Sequence, residues 1–297
     1  MPRSMPATTA TLTSASGGDR PALTWFPVRL IRGVVRGGVS LRQIAADARA
    51  LGFEHIELHE AMVLTEGGAA DTRAMLNGEG LDVSQLTTGT DFANPASEAR
   101  RRSAEEARRL VALASALGAP NIRVVAGIER AGVSLEEGMR SAVEGLSAMS
   151  EMARPLGVSL RLENHFRDRM WSENEFDFAR EPEVWLRLLA ELPKDRVSVN
   201  FDTGQPMVVR ADPVRLLDRV IDRVGYVHAG DRVWGRREHS ALGEGDVEFA
   251  AIFRRLARAG YRGYISFEDA AAESRADVAR GVDYLRSRID EAWRAVP

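Results

Sequence analysis

Glu163, Asp202, His228 and Glu268 each stand at the last position of a short apolar run: Val158–Glu163, Val197–Asp202, Val224–His228 and Tyr264–Glu268. Side chains alternate between the two faces of a strand. Leu160, Leu162, Val227, Ile265 and Phe267 therefore share one face, and Glu163, Asp202, His228 and Glu268 share the other. His165 falls on the polar face two residues after Glu163. In Phe53–His59 the same parity puts His55, Glu57 and His59 on the polar side. A carboxylate turned into a protein interior costs several kcal/mol, in order of magnitude, unless a cation or hydrogen bonds compensate. Paired with an arginine such as Arg123 or Arg161, any single one of these carboxylates is structural, and a lone strand-end histidine is usually a hydrogen-bonded core residue. Three carboxylates and one imidazole at the same end of four strands point instead to one bound divalent cation.

The elements that must position these groups alternate without a break. Strands are expected at Leu23–Leu30, Phe53–Leu58, Leu81–Leu86 and Asn121–Val125, followed by the four runs above. Helical stretches lie between them. Ser40-Leu41-Arg42-Gln43 and Ser134-Leu135-Glu136-Glu137 both fit the capping box, and Asp212-Pro213 offers an N-cap followed by proline. Leu51-Gly52, Leu117-Gly118 and Leu156-Gly157 supply helix stops. Leu41, Ile44, Ala48 and Leu51 recur on one helical face. Eight strand–helix units predict an α/β fold, a single (β/α)8 TIM barrel over residues 22–297 behind a disordered tail, 1–21. Barrel enzymes keep their sites at the C-terminal ends of the strands, where the four residues sit. No Gly-x-Gly-x-x-Gly or Walker loop follows a strand.

Composition narrows the chemistry further. The 297 residues carry a formal net charge of -3 and are 44 % hydrophobic, with a mean hydropathy of -0.22 and a pI near 6.0. That balance gives no reason to expect a nucleic-acid partner. No apolar run approaches the roughly 20 residues of a membrane span, and the N-terminus has no apolar core of a secretory signal, so a cytoplasmic location is expected. With no cysteine, disulfides, thiolate catalysis and cysteine-ligated zinc are excluded. The only lysine, Lys194, precedes a strand and so lies at the wrong end of the barrel for Schiff-base chemistry. Arg100-Arg101-Arg102 reads as a solvated helix start. The segment from Arg167 to Glu181, with Trp171, Phe176 and Phe178, is either a lid or packing against the barrel rim.

Several segments together carry a resemblance: Gly52-Phe53-Glu54-His55-Ile56-Glu57-Leu58, Leu162-Glu163-Asn164-His165, Phe201-Asp202-Thr203-Gly204-Gln205 and Val227-His228-Ala229-Gly230-Asp231. Leu242-Gly243-Glu244-Gly245-Asp246, Gly260-Tyr261-Arg262-Gly263 and Ile265-Ser266-Phe267-Glu268 continue it. In this order and spacing they resemble the xylose-isomerase-like barrels, the sugar phosphate isomerases and epimerases that also include endonuclease-IV-like nucleases. The resemblance implies that Glu163, Asp202, His228 and Glu268 hold one divalent metal ion, manganese first, with magnesium, cobalt or zinc as substitutes. It implies that Glu163 and Glu268 act as paired acid and base, and that His165 is the base in dehydratase-like members. Arg232 lies where some members hold substrate, and His239 either reaches the same mouth or is a plain loop residue. Glu57, His59, Arg123 and Gln205 complete the candidates for binding substrate. Members often form homo-oligomers.

One departure matters. Many members place a histidine where this chain has Gln205, and a neutral amide can hold a hydroxyl but carries no proton near pH 7. The expected function is a sugar, cyclitol or polyol isomerase or epimerase that abstracts a proton beside a metal-chelated carbonyl. The alternative is a dehydratase or lyase acting on a keto-sugar or oxidised glycoside. A nuclease and a non-catalytic sugar-binding barrel are more distant. The expected substrate is a small carbohydrate-like molecule, phosphorylated or not.

Overall fold

The computed structural model describes residues 19–65, 68–166 and 176–296. Residues 1–18 of the expected tail, and 167–175 of the long segment after the fifth strand with Trp171, lie outside the described residues. Asp19 and Arg20, also assigned to the tail, sit against the barrel through ion pairs with Arg262 and Asp290.

Among the described residues, eight parallel strands close into one barrel in chain order. They are β1 Ala22–Phe26, β2 His55–His59, β3 Asp82–Thr87, β4 Asn121–Val124, β5 Ser159–Glu163, β6 Val197–Asp202, β7 Val224–Ala229 and β8 Tyr264–Glu268. Helices cover the outside, so Ile56, Leu58, Leu160, Leu162, Val199 and Val227 are fully buried beneath them. β1 ends earlier than the sequence suggests. Pro27, which lacks an N–H to extend the ladder, closes it, and Val28–Leu30 turn into a 3-10 helix.

The local signals behave as their chemistry requires, with one correction. Ser134 and Glu137 form the full capping box at the start of the helix Leu135–Ala153. Ser40 makes only half of one, accepting from Gln43 N, while the Gln43 side chain turns to Asp47. Asp212 accepts from Val214 N and Arg215 N ahead of Pro213–Val220. Gly118 ends Ser97–Leu117 in the left-handed region that favours glycine. Arg100, Arg101 and Arg102 lie on that helix and pair with Glu144 and Glu98 at the surface. No helix is long and apolar enough to cross a membrane among the described residues.

The barrel interior is polar, where most are filled with branched apolar side chains. Near its N-terminal end Arg161 donates to Asn121 Oδ1 at 2.8 Å and to Ser198 Oγ. Burial lowers the Arg161 pKa to about 10, against the opposing effect of Tyr261 and Tyr226. A Cβ on Gly225 would collide with the Arg161 guanidinium, so glycine on β7 is what leaves room for it. Above this layer, Ser84 bonds Thr24 at 2.9 Å and Tyr226 at 2.9 Å.

Candidate metal centre and catalytic mouth

Each strand-end group is placed by its strand and fixed by neighbours. On β6, Asp202 Oδ1 accepts from Gly204 N at 2.7 Å and Gln205 N at 3.0 Å. Asp202 Oδ2 has no partner among the described residues, although the residue is 1 % exposed. On β5, Glu163 Oε1 accepts from Asn200 Nδ2 at 3.1 Å and faces His228 Nδ1 at 2.7 Å. Its other oxygen takes Arg123 Nε at 2.7 Å and a second Arg123 nitrogen. Burial pushes the Glu163 carboxyl up, but Arg123, with His228 and His165, holds it well below the usual carboxylate range. Of the two arginines considered as partners for an inward carboxylate, Arg123 is one and Arg161 is not.

Glu163, Asp202 and His228, all buried, each offer a ligand atom, and these atoms lie within 4.8 Å of one another. Glu268, the fourth expected ligand, stands outside that group. A Cβ built on Gly230 would lie 3.3 Å from Glu268 Oε2, 3.7 Å from Asp202 Oδ1 and 3.9 Å from His239 Nδ1. Those three side chains therefore surround the same gap, kept open by a glycine. The donor set fits a divalent cation on two counts. Two carboxylates and an imidazole suit Mn2+, Mg2+, Co2+ or Zn2+, and Asp202 Oδ2 accepts no hydrogen bond from the described residues. Among the described residues that line the mouth, Glu163, Asp177, Asp202 and Glu268 share it with one guanidinium, that of Arg123.

Glu57, an expected substrate-binding residue, lies one layer lower and is wholly buried. Its oxygens stand 2.9 and 3.1 Å from His228 Nε2 and accept from Tyr226 at 3.0 Å, Ser266 at 2.7 Å, Gln85 at 3.1 Å and Thr87. Burial pushes this carboxyl up, and His228 with the Thr87 and Ser266 hydroxyls brings it below the ordinary value. Burial lowers the His228 pKa, but Glu57 and Glu163 drive it well above the ordinary imidazole value. With Glu57 taking the Nε2 proton, Nδ1 is the nitrogen turned toward Glu163, the arrangement by which a carboxylate orients a metal-binding histidine. Glu57→Gln is therefore expected to weaken Mn2+ binding about 10- to 100-fold in calorimetric titration. Unchanged affinity would remove Glu57 from that role.

The remaining candidates divide between mouth and loop. His59 lines the mouth; its Nδ1 accepts from Ala61 N at 3.2 Å, which leaves the proton on Nε2. Burial, Arg123 and the opposing Glu57 set its pKa at about 4, so it stays a neutral donor. Gln205 also lines the mouth, with its carbonyl oxygen held by Phe166 N at 3.3 Å and its amide nitrogen left to donate. Arg232 is fully buried and sits beside His239 Nε2 at 2.7 Å, also donating to Arg237 O. The loop that carries them is gathered by Asp231, whose carboxylate accepts from the backbone of Arg232, Gly243, Gly245 and Val247.

One residue escaped the sequence reading. His165 lines the mouth, and its Nδ1 pairs with Asp177, which is 3 % exposed. Asp177 is held at the rim by a bridge to Ile128, with Phe178 N bonded to Gly127 O at 2.8 Å. Of the expected lid, the described part from Phe176 on thus packs against the segment after β4. No periodicity marks Asp177; the only cue was that a histidine base needs an acceptor behind it.

A family model described as xylose isomerase-like TIM barrel matches residues 45–288. The chain is 30 % identical over 265 residues to an L-ribulose 3-epimerase of Mesorhizobium japonicum, spanning 86 % of this chain and 81 % of that protein. It is 24 % identical to a 2-oxo-tetronate isomerase of Haemophilus influenzae over 83 % of this chain and 92 % of the other. An inosose dehydratase of Bacillus licheniformis is 27 % identical over 52 % of this chain and 54 % of its own length. Among solved structures, a D-tagatose 3-epimerase-like protein superimposes with a TM-score of 0.75 at 17 % identity, over 93 % of this chain and 100 % of that one. That likeness is one of fold.

Proposed function

The chain belongs to the xylose isomerase-like TIM barrel family, and from that premise we propose that it is a divalent-metal-dependent isomerase or epimerase of a small sugar or polyol. What supports this reading is one arrangement: two glutamates, on β5 and β8, reach one mouth from nearly opposite sides of the barrel, with Asp202 and His228 between them. Epimerisation needs a proton removed from one face of a carbon and returned to the other, so two proton carriers on opposite sides suit it. A bound divalent cation would supply Lewis acidity toward a substrate carbonyl and its neighbouring hydroxyl.

The chain's own groups do the rest. Glu163 is anchored by Arg123 and kept ionised, ready to accept a proton on its side. Glu268 works from the other side. The His59 Nε2–H and the Gln205 amide offer two donors for substrate oxygens, and the fully buried Arg232 holds His239 in the loop after β7. In D2O, with manganese-loaded protein and a keto-sugar panel, solvent deuterium is expected at the carbon beside the carbonyl of both isomers. Product formation without label would sink the proton-transfer reading.

The pairing of His165 with Asp177 favours a second reading, elimination of a leaving group by a histidine base. A carboxylate on Nδ1 orients the ring and strengthens Nε2 as a base. Product masses separate the two readings, since isomers keep their mass and an elimination splits it. His165→Ala is expected to slow an elimination about 10²- to 10⁴-fold and an epimerisation far less.

A further inference from the structure

Beside the mouth lies a second cavity, of about 390 Å³, between the loop after β7 and the loop after β8. Glu268 forms part of the wall of both. The mouth itself encloses only about 60 Å³, well below the few hundred Å³ of a usual small-molecule site; the neighbouring space falls within that range. Ala241, Ala271, Ala272 and Gly281 give it its room. Resting on the isomerase reading above, we propose that this cavity is a second subsite for an uncharged, hydroxyl-rich ring joined to the reacting sugar. The substrate is then a neutral glycosylated ketose and not a sugar phosphate.

Barrel enzymes often bind phosphate at this place, between the loops after the seventh and eighth strands, on the N-terminus of a helix. Here that option is closed. The helix Arg275–Arg294 starts at Ser274, and its N-terminus is taken by its own side chains. Asp277 Oδ2 accepts from Ser274 N at 2.8 Å and Glu273 N at 3.0 Å, so a carboxylate occupies the position of an anion. Arg280, the one cationic side chain in the lining among the described residues, is paired with Asp277. The Glu244 and Glu273 carboxylates accept no hydrogen bond from the described residues, and the Tyr284 hydroxyl has no partner among them. An arriving phosphate would meet Glu244, Glu268, Glu273 and Asp277. Hydroxyl groups would instead find the Glu244 and Glu273 carboxylates as acceptors, and the Tyr284 phenol.

Fructose, fructose 6-phosphate and isomaltulose test this, because the last two carry a phosphate or a neutral glucosyl ring at the same oxygen. Their binding to manganese-loaded protein is measured by calorimetry, for wild type and for Ala241→Trp, which puts an indole into the cavity from an exposed wall position. Isomaltulose is expected to bind at least about tenfold tighter than fructose, with fructose 6-phosphate the weakest. Ala241→Trp should erase the advantage of isomaltulose and leave fructose binding unchanged, which also shows that the variant is folded. Fructose 6-phosphate binding as well as isomaltulose, or an isomaltulose advantage that survives Ala241→Trp, overturns the subsite alone. If none of the three sugars binds, the ketose isomerase reading falls and takes the subsite with it.

Discussion

Asp202→Ala protein, soaked with manganese and desalted beside the wild type, is expected to hold less than about a tenth of an equivalent of metal and to lose activity by about 10³-fold or more. The expectation follows from what Asp202 alone provides. Glu163 already has Arg123, Asn200 and His228 on its oxygens, and His228 has Glu57 behind it. Asp202 Oδ2 is the one oxygen of the group with no donor among the described residues, so removing it removes the ligand least committed elsewhere. The substitution also takes the acceptor away from two backbone donors, Gly204 N and Gln205 N, at a cost of about 1–3 kcal/mol. Asp202→Asn keeps an acceptor oxygen there while discarding the charge, and separates folding from metal binding. A saturating metal stabilises the folded state by about 2.7 kcal/mol at a hundredfold excess over Kd. Wild type should therefore melt higher with manganese than without, and neither variant should. Full metal occupancy in Asp202→Ala would mean that the cation sits elsewhere.

How much of this was legible in the sequence depended on the distance over which each rule acts. The alternation of side chains along a strand is local, and it put Glu163, Asp202 and His228 on one side of the sheet, where the barrel brings them together. The helix stops at Gly118 and Gly157 are local too, since a left-handed residue is a property of one position. The length of β1 was misjudged because the apolar run continues past Pro27, and only the ladder shows what a missing N–H does. Contacts across the barrel were out of reach. Glu57 and His228 are far apart in the chain and meet through the closure of the sheet, so parity could say that Glu57 points inward but not that it lies beneath the mouth. Arg123 was foreseeable as a partner for some carboxylate, but β4–β5 register decided that it was Glu163. Asp177 depends on a loop whose path has no pattern.

Glu268→Gln is expected to lower kcat about 10²- to 10⁴-fold while the protein keeps at least about half an equivalent of manganese. Glu163 and Glu268 are alike in sequence context but not in setting. Every oxygen of Glu163 is engaged, by Arg123 on one side and by Asn200 and His228 on the other, so its position is fixed and the metal site fails without it. Glu268 lies outside the compact three-residue group, is 8 % exposed, and borders both the mouth and the cavity beside it. Such a carboxylate is better placed to carry a proton than to anchor an ion. Glutamine keeps its size and removes its ability to exchange a proton, so chemistry should fall while metal stays. Glu163→Gln, by contrast, should lose both together. Metal content and deuterium exchange measured on the same samples decide the matter. If Glu268→Gln loses its metal as fully as Asp202→Ala, Glu268 is an anchoring ligand and the proton on the β8 side is moved by another group. If kcat stays within about fivefold of wild type with metal retained, the two-glutamate reading fails, and a histidine base at His165, oriented by Asp177, takes its place.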